Sequence, residues 1–451
     1  MELKRKAYDK LLEWKNKSNG STAILVEGAR RIGKSTTVKK FAEENYKSHI
    51  LIDFSNVSNM LINNFNENLI DLDKFFQLLS LEYQTKLYKR KSAIIFDEVQ
   101  LFPKARQAIK HLVADGRYDF IETGSLISLK ENVENILIPS EEEKLKMFPL
   151  DFEEFLWATD NEMLSEYIKE CYKNKTTLVD TFHKKALYAF NEYILVGGMP
   201  QSVVAYISNN KDFFKADEQK KAILNLYKND IKKSAAKYES KVSVLFDNIP
   251  GFLSKHEKKI SLNKIDENGT YSKYDEALFW LNDSMICNLC YKCTDPSVGL
   301  SLNRDNSSVK CYMGDTGLLV SMILKNNDKE AMELYKKIMK NKVSFNSGML
   351  YENIIAQTFS SKGIDLYFYT RYNKKRKIND IEIDFLVIKN GKVIPIEVKS
   401  SKNYTTSSYD KFKAIYKKAV GESYIIHPKA LNIEGNNYKI PAYMAYCLFD
   451  N

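Results

Sequence analysis

Short apolar runs recur through the first third of the chain. Ala23-Ile24-Leu25-Val26 and Ala93–Phe96 are apolar throughout, and Tyr118–Ile121 is nearly so. Runs of this length without polar alternation suit strands of a parallel sheet covered on both faces. Between the first two runs, Ser35–Tyr46 carries Val38, Phe41 and Ala42 at helical spacing and predicts an amphipathic helix. A further helix, about residues 3–17, precedes the sheet. Residues 165–235 are rich in Glu, Lys, Leu and Tyr with few turn residues, which predicts a helical region. From 238 to 315, three helical patterns lead into ICNLCYKC, the order expected of a winged helix. In EIDFLVIKNGKVIPIEVKSS, residues 382–401, Asn390-Gly391 between two apolar runs predicts a β-hairpin. The pattern divides the chain at 1–160, 161–237, 238–315 and 316–451, with an α/β fold at each end.

Composition narrows the function classes. A chain of 451 residues is too long for one core, and 44% hydrophobic with 28% charged residues is ordinary for a globular protein. Lys and Arg number 68 against 58 Asp and Glu, a net charge of +10. The basic residues are scattered, so a solvated lysine-rich surface accounts for the excess better than a nucleic-acid footprint. No apolar run is long enough to span a bilayer, and MELKRKAYDK lacks a signal-peptide core. The expectation is therefore a cytoplasmic protein without a membrane partner. The five histidines form no metal-binding pair. Cys287, Cys290 and Cys293 echo an iron–sulfur spacing, but no Pro follows the last, and small buried strand residues are the preferred reading.

The chemistry begins in the loop after the first run. Gly28-Ala29-Arg30-Arg31-Ile32-Gly33-Lys34-Ser35 fits G-x-x-x-x-G-K-[ST] between a strand and a helix. Glycine lets backbone N–H groups approach phosphates, and the helix N-terminus favours an anion. The nucleotide-binding set is Gly28 through Thr36, with Lys34 on the β and γ phosphates and Ser35 on Mg²⁺. SAIIFDEVQ ends a strand in Asp97-Glu98. On a strand neighbouring that of the loop, Asp97 would hold the metal and Glu98 would act as general base. Thr123 or Ser125, closing the third run, is the candidate to sense the γ-phosphate.

GARRIGKST, AIIFDEVQ, IETGS and VGGMPQS together resemble a bacterial and archaeal family of AAA+-type ATPases carrying a C-terminal domain of unknown function. The resemblance implies a parallel-sheet core, a helical lid, a winged-helix segment and a restriction-nuclease-like end, with ATP and Mg²⁺ as ligands. It also makes Pro200, in Gly198-Met199-Pro200, a candidate adenine contact; a helix stop is the equal alternative. The C-terminal hairpin resembles the PD-(D/E)XK nuclease core. Asp384 lies in its first strand, Glu397 and Lys399 share a face of its second, and Glu352 matches the helical glutamate. Convergence of Glu352, Asp384 and Glu397 on one divalent metal, with Lys399 beside it, is the expectation, and metal-activated water would attack a phosphodiester. DNA, RNA, a protein partner and a second copy of the chain all stay open as partners.

Overall fold

The computed structural model describes residues 2–125, 140–235, 238–297, 299–324, 328–340, 347–373, 375 and 377–449. They form two compact units, residues 2–148 with 283–285, and residues 149–282 with 286–451. Among the described residues no helix is long and apolar enough to cross a membrane.

In the first unit, β1 (Ala23–Gly28), β2 (Ser48–Asp53), β3 (Ser92–Asp97), β4 (Asp119–Ser125) and β5 (Glu142–Lys146) form a five-stranded parallel sheet in the order β2-β3-β4-β1-β5. β1, β3 and β4 are buried along their whole length, as their apolar runs require. Helices α1 (Lys6–Ser18), α2 (Lys34–Asn45), α3 (Asn59–Glu67), α4 (Leu72–Glu82) and α5 (Pro103–Asp115) accompany the sheet. Phe54, Phe65, Phe75, Phe96 and Phe120 pack in one core between the strands and α3–α5. The expected adjacency of the Asp97 strand to the loop strand is corrected here: β4 lies between β1 and β3. Apolar runs identify strands but carry no order, so a neighbour in sequence reading became a second neighbour in space.

The second unit begins with α6 (Phe152–Ala158), α7 (Glu162–Asn174), α8 (Asp180–Val196), α9 (Pro200–Ser208), α10 (Phe213–Ser234), α11 (Glu239–Leu253) and α12 (Tyr271–Asp283). Its sheet runs β12-β13-β11-β10-β9-β8-β6-β7. The strands are β6 (Cys287–Cys293), β7 (Arg304–Met313), β8 (Leu366–Asn373), β9 (Ile378–Lys389), β10 (Lys392–Val398), β11 (Ser423–His427), β12 (Asn432–Glu434) and β13 (Asn437–Pro441). Between β7 and β8 come α13 (Thr316–Leu324), α14 (Asp328–Met339) and α15 (Ser347–Ser361); α16 (Ser407–Ile415) follows β10. The strand expected to close a winged helix, β6, pairs with β7 and also with β8 of the C-terminal segment. One sheet therefore crosses residue 315. In α12, the Tyr271 hydroxyl donates to the Ile260 carbonyl at 2.6 Å and Tyr274 is buried, so both face inward.

Candidate functional site

The C-terminal hairpin turns at Asn390-Gly391, both at positive φ, and pairs Ile396 with Phe385. The β8–β9 ladder loses register between Tyr367 and Tyr369, whose partners are Leu386 and Ile383. Asp384 lies inside that irregularity, a place where a bulge re-aims a side chain. Its carboxylate accepts the Val398 N–H at 2.8 Å. Glu397 ion-pairs through one oxygen with Lys399, one residue past the end of β10. Its other oxygen, Oε2, is buried without a hydrogen-bond partner. Burial and then Asp384 push the Glu397 carboxyl up to about 7. Burial and then Glu352 push Asp384 up to about 6. Lys399 beside Glu397 and Lys310 3.9 Å from Asp384 offset only part of that, and carboxylate oxygens so placed suit a hard cation.

Glu352 behaves differently. On α15 it is fully buried, yet Lys310 lies 2.9 Å from one oxygen, Lys258 pairs with the other, and the Tyr312 hydroxyl donates to it. At 2.9 Å and an effective dielectric near 20, one such attraction is about 6 kcal/mol before desolvation. Burial alone would raise this carboxyl, but Lys258 and Lys310 outweigh it and hold it at about 2. Both its oxygens are engaged, by two cations and a hydroxyl. The expected convergence of Glu352, Asp384 and Glu397 on one ion is thus not what the side chains do, because Lys310 intervenes. Among the described residues no three His, Cys, Asp or Glu side chains gather so as to hold a metal. That includes the cysteines. Cys287 and Cys290, three apart on β6, point to opposite faces, and both are buried with Cys293 and Cys311.

In the first unit, β1 runs into the glycine loop and α2 starts at Lys34, with Arg31 and Gly33 at positive φ. A Cβ on Gly28 would lie 2.3 Å from the Met147 carbonyl oxygen, so only glycine lets the chain leave the sheet here. Ile32 is buried and anchors the loop, while Arg31 and Thr36 are exposed. The Lys34 ammonium donates to the Gly28 and Ala29 carbonyls at 3.0 and 2.9 Å. It is parked on neutral oxygens, and burial, countered by Glu98 and Asp97, lowers it to about 8. The Ser35 hydroxyl donates to Asp97 at 2.7 Å, across the end of the sheet. Thr123, from the intervening β4, also donates to Asp97 and accepts the Glu98 N–H at 3.2 Å. Glu98 has φ 55°, the left-handed region that a non-glycine residue rarely adopts, and the Gln100 amide holds its carboxylate. Hydroxyl and carboxylate oxygens stand together beside an ammonium at a helix N-terminus, which is a donor set for a metal-bound polyphosphate.

Residues 20–156 match the family model of an AAA domain. The AAA domain is a nucleotide-binding, ATPase-like module, and its span contains Gly28 through Thr36, Asp97, Glu98 and Thr123. Two further stretches match families described as domains of unknown function, residues 187–330 (DUF8612) and residues 347–445 (DUF4143). The first of these runs across both 237 and 315, where the sequence pattern suggested boundaries. No curated protein matches the chain.

Of the AAA domain candidates, Lys34, Ser35, Asp97, Glu98 and Thr123 are brought together. The Ser125 hydroxyl is buried without a partner. Pro200 is the first residue of α9 and belongs to the other unit, where Asp315 accepts the Gly198 N–H at 2.6 Å. Of the basic run Arg371–Lys377 at the β8–β9 turn, Lys374 and Arg376 lie outside the described residues. Sequence reading missed Arg5, whose guanidinium donates to the Ile32 and Phe148 carbonyls at 2.8 and 2.6 Å and braces the glycine loop. One arginine in a polar leader gives no signal. It also missed Lys258, Lys310 and Tyr312; for Lys310 a signal exists, a lone charge inside the apolar run of Val309–Met313.

Proposed function

We infer that the chain is a Mg²⁺-dependent ATP-binding protein that hydrolyses ATP, its nucleotide state controlling a nuclease-like C-terminal effector. One observation carries the first half: the Lys34 ammonium rests on loop carbonyls beside Ser35, Asp97 and Thr123. Phosphate oxygens compete well against neutral carbonyls for that ammonium, because a charge-assisted hydrogen bond is roughly twice as strong. The loop N–H groups of Gly28–Ser35 then bind phosphate, with Thr36 on the first turn. Ser35 and Asp97 would supply oxygen ligands to Mg²⁺, which would neutralise charge developing on the phosphates. Glu98, held in a left-handed backbone, takes the proton of the attacking water. Thr123 fixes Asp97 and the Glu98 N–H, and so couples metal ligand to base.

For the C-terminal unit, Asp384 and Glu397 would hold a divalent ion, and Lys399 would orient the water it activates. The orphaned Glu397 oxygen supports that reading. The sealed Glu352 favours the alternative, a switch or scaffold whose nuclease fold is inactive and meets a protein partner. The test is phosphate release from ATP and Mg²⁺ by the full chain. Turnover should fall on the order of 10²-fold or more in Glu98→Gln with ATP affinity kept. Equal turnover would remove Glu98 from the role of base.

A further inference from the structure

In the C-terminal cluster, the one cation set between carboxylates of two different elements belongs to the chain itself. Lys310 is wholly buried on β7, 2.9 Å from Glu352 of α15 and 3.9 Å from Asp384 of β9. Lys258 reaches the far oxygen of Glu352, and Tyr312, two residues along β7 from Lys310, donates to the near one. Both oxygens of Glu352 are therefore engaged by groups of the chain itself. Glu397 lies beyond this lock, its Oε2 buried and unpartnered. The geometry points to Lys310 as a built-in counter-cation that takes the place of a divalent metal between Glu352 and Asp384. Glu352 is then a tether for the lysine and no metal ligand, and a metal is confined to Asp384 and Glu397, where it works against the ammonium.

The physical logic is competition. A divalent ion entering beside Asp384 meets a fixed positive charge held in low dielectric by Glu352, Lys258 and Tyr312. Repulsion there is poorly screened. Deleting Lys310 alone would leave Glu352 and Asp384 buried with one counter-charge fewer, so the test does not use that variant. Deleting Lys310 and Glu352 together removes one charge of each sign and keeps the interior balanced. This inference rests on reading Asp384 and Glu397 as able to hold metal, and the test separates the two.

The experiment titrates the nucleotide-free full chain with Mn²⁺ alone. Free Mn²⁺ is followed by electron paramagnetic resonance in wild type, Glu352→Gln, and the double variant Lys310→Met with Glu352→Gln. Each is repeated with Asp384→Asn, so that Mn²⁺ at Ser35 and Asp97 is subtracted. The Asp384-dependent affinity should be at least about tenfold tighter in the double variant than in wild type. Any such binding in wild type should weaken in Glu352→Gln, which leaves the Lys310 charge uncompensated, and should return in the double variant. Equal or weaker Mn²⁺ binding by the double variant, absence of binding included, overturns the role of Lys310. Loss of wild-type binding in Glu352→Gln that the double variant fails to restore overturns it too, because Glu352 would then be a ligand. Binding only in the double variant upholds Lys310 and ends the metal reading of the native chain.

Discussion

Two buried lysines, one in each unit, illustrate opposite uses of an ammonium. Lys34 sits on the neutral carbonyls of Gly28 and Ala29, and burial lowers it to about 8. Lys310 sits on the carboxylates of Glu352 and Asp384, and they raise it above its ordinary range despite complete burial. The first is held by neutral partners, which on the proposed function a phosphate would displace. The second is held by partners whose own burial depends on it, so it is part of the fold. A buried lysine is therefore informative about function through what it touches, and burial by itself is not.

The contrast predicts its largest effect on stability. Lys310→Met should lower the unfolding free energy of its unit by about 3–5 kcal/mol, because it leaves buried carboxylates short of a counter-charge. Lys34→Met should leave its unit unchanged or stabilised. Its lowered folded-state value means that the fold disfavours the charged amine at neutral pH. Urea titration of the full chain checks both, and a loss of similar size in the two variants would erase the distinction.

A smaller effect sharpens it within the first unit. Glu122 on β4 is fully buried against Glu142, which Arg106 grips at 2.8 and 2.9 Å. Burial and then Glu142 push the Glu122 carboxyl well above 4.5. The folded chain keeps a proton that the unfolded chain releases, so the contribution of Glu122 to stability is most favourable below about 4.5 and falls as pH rises past it. Glu122→Gln removes that fall. At pH near 8 it should gain about 1–3 kcal/mol over wild type, and the gain should vanish near pH 4. Parallel pH profiles for the two proteins would show that Glu122 carries no such penalty.

The two sites also differed in how legible they were. The glycine loop is one contiguous stretch whose spacing encodes its geometry, so Gly28, Lys34 and Ser35 could be read directly, and the strand-ending Asp97-Glu98 followed. The order of strands could not, which is why β4 and the bridging role of Thr123 came only with the sheet. At the C-terminal site, the Asn390-Gly391 turn fixed the hairpin, and alternation placed Glu397 beside Lys399. The bulge at Asp384 breaks that alternation, and Lys258, Lys310 and Tyr312 arrive from segments far away in sequence. No local pattern announces which cation meets Glu352, so a set of four matching residue types concealed a different arrangement of charge.

Central to the proposed function is Lys34 as a phosphate ligand held in reserve. Calorimetric titration of nucleotide-free wild type and Lys34→Ala with ATP and Mg²⁺ tests this most directly. Wild type should bind, and the variant should lose at least about a hundredfold in affinity while melting no lower. Undiminished ATP affinity in a folded Lys34→Ala chain would contradict it.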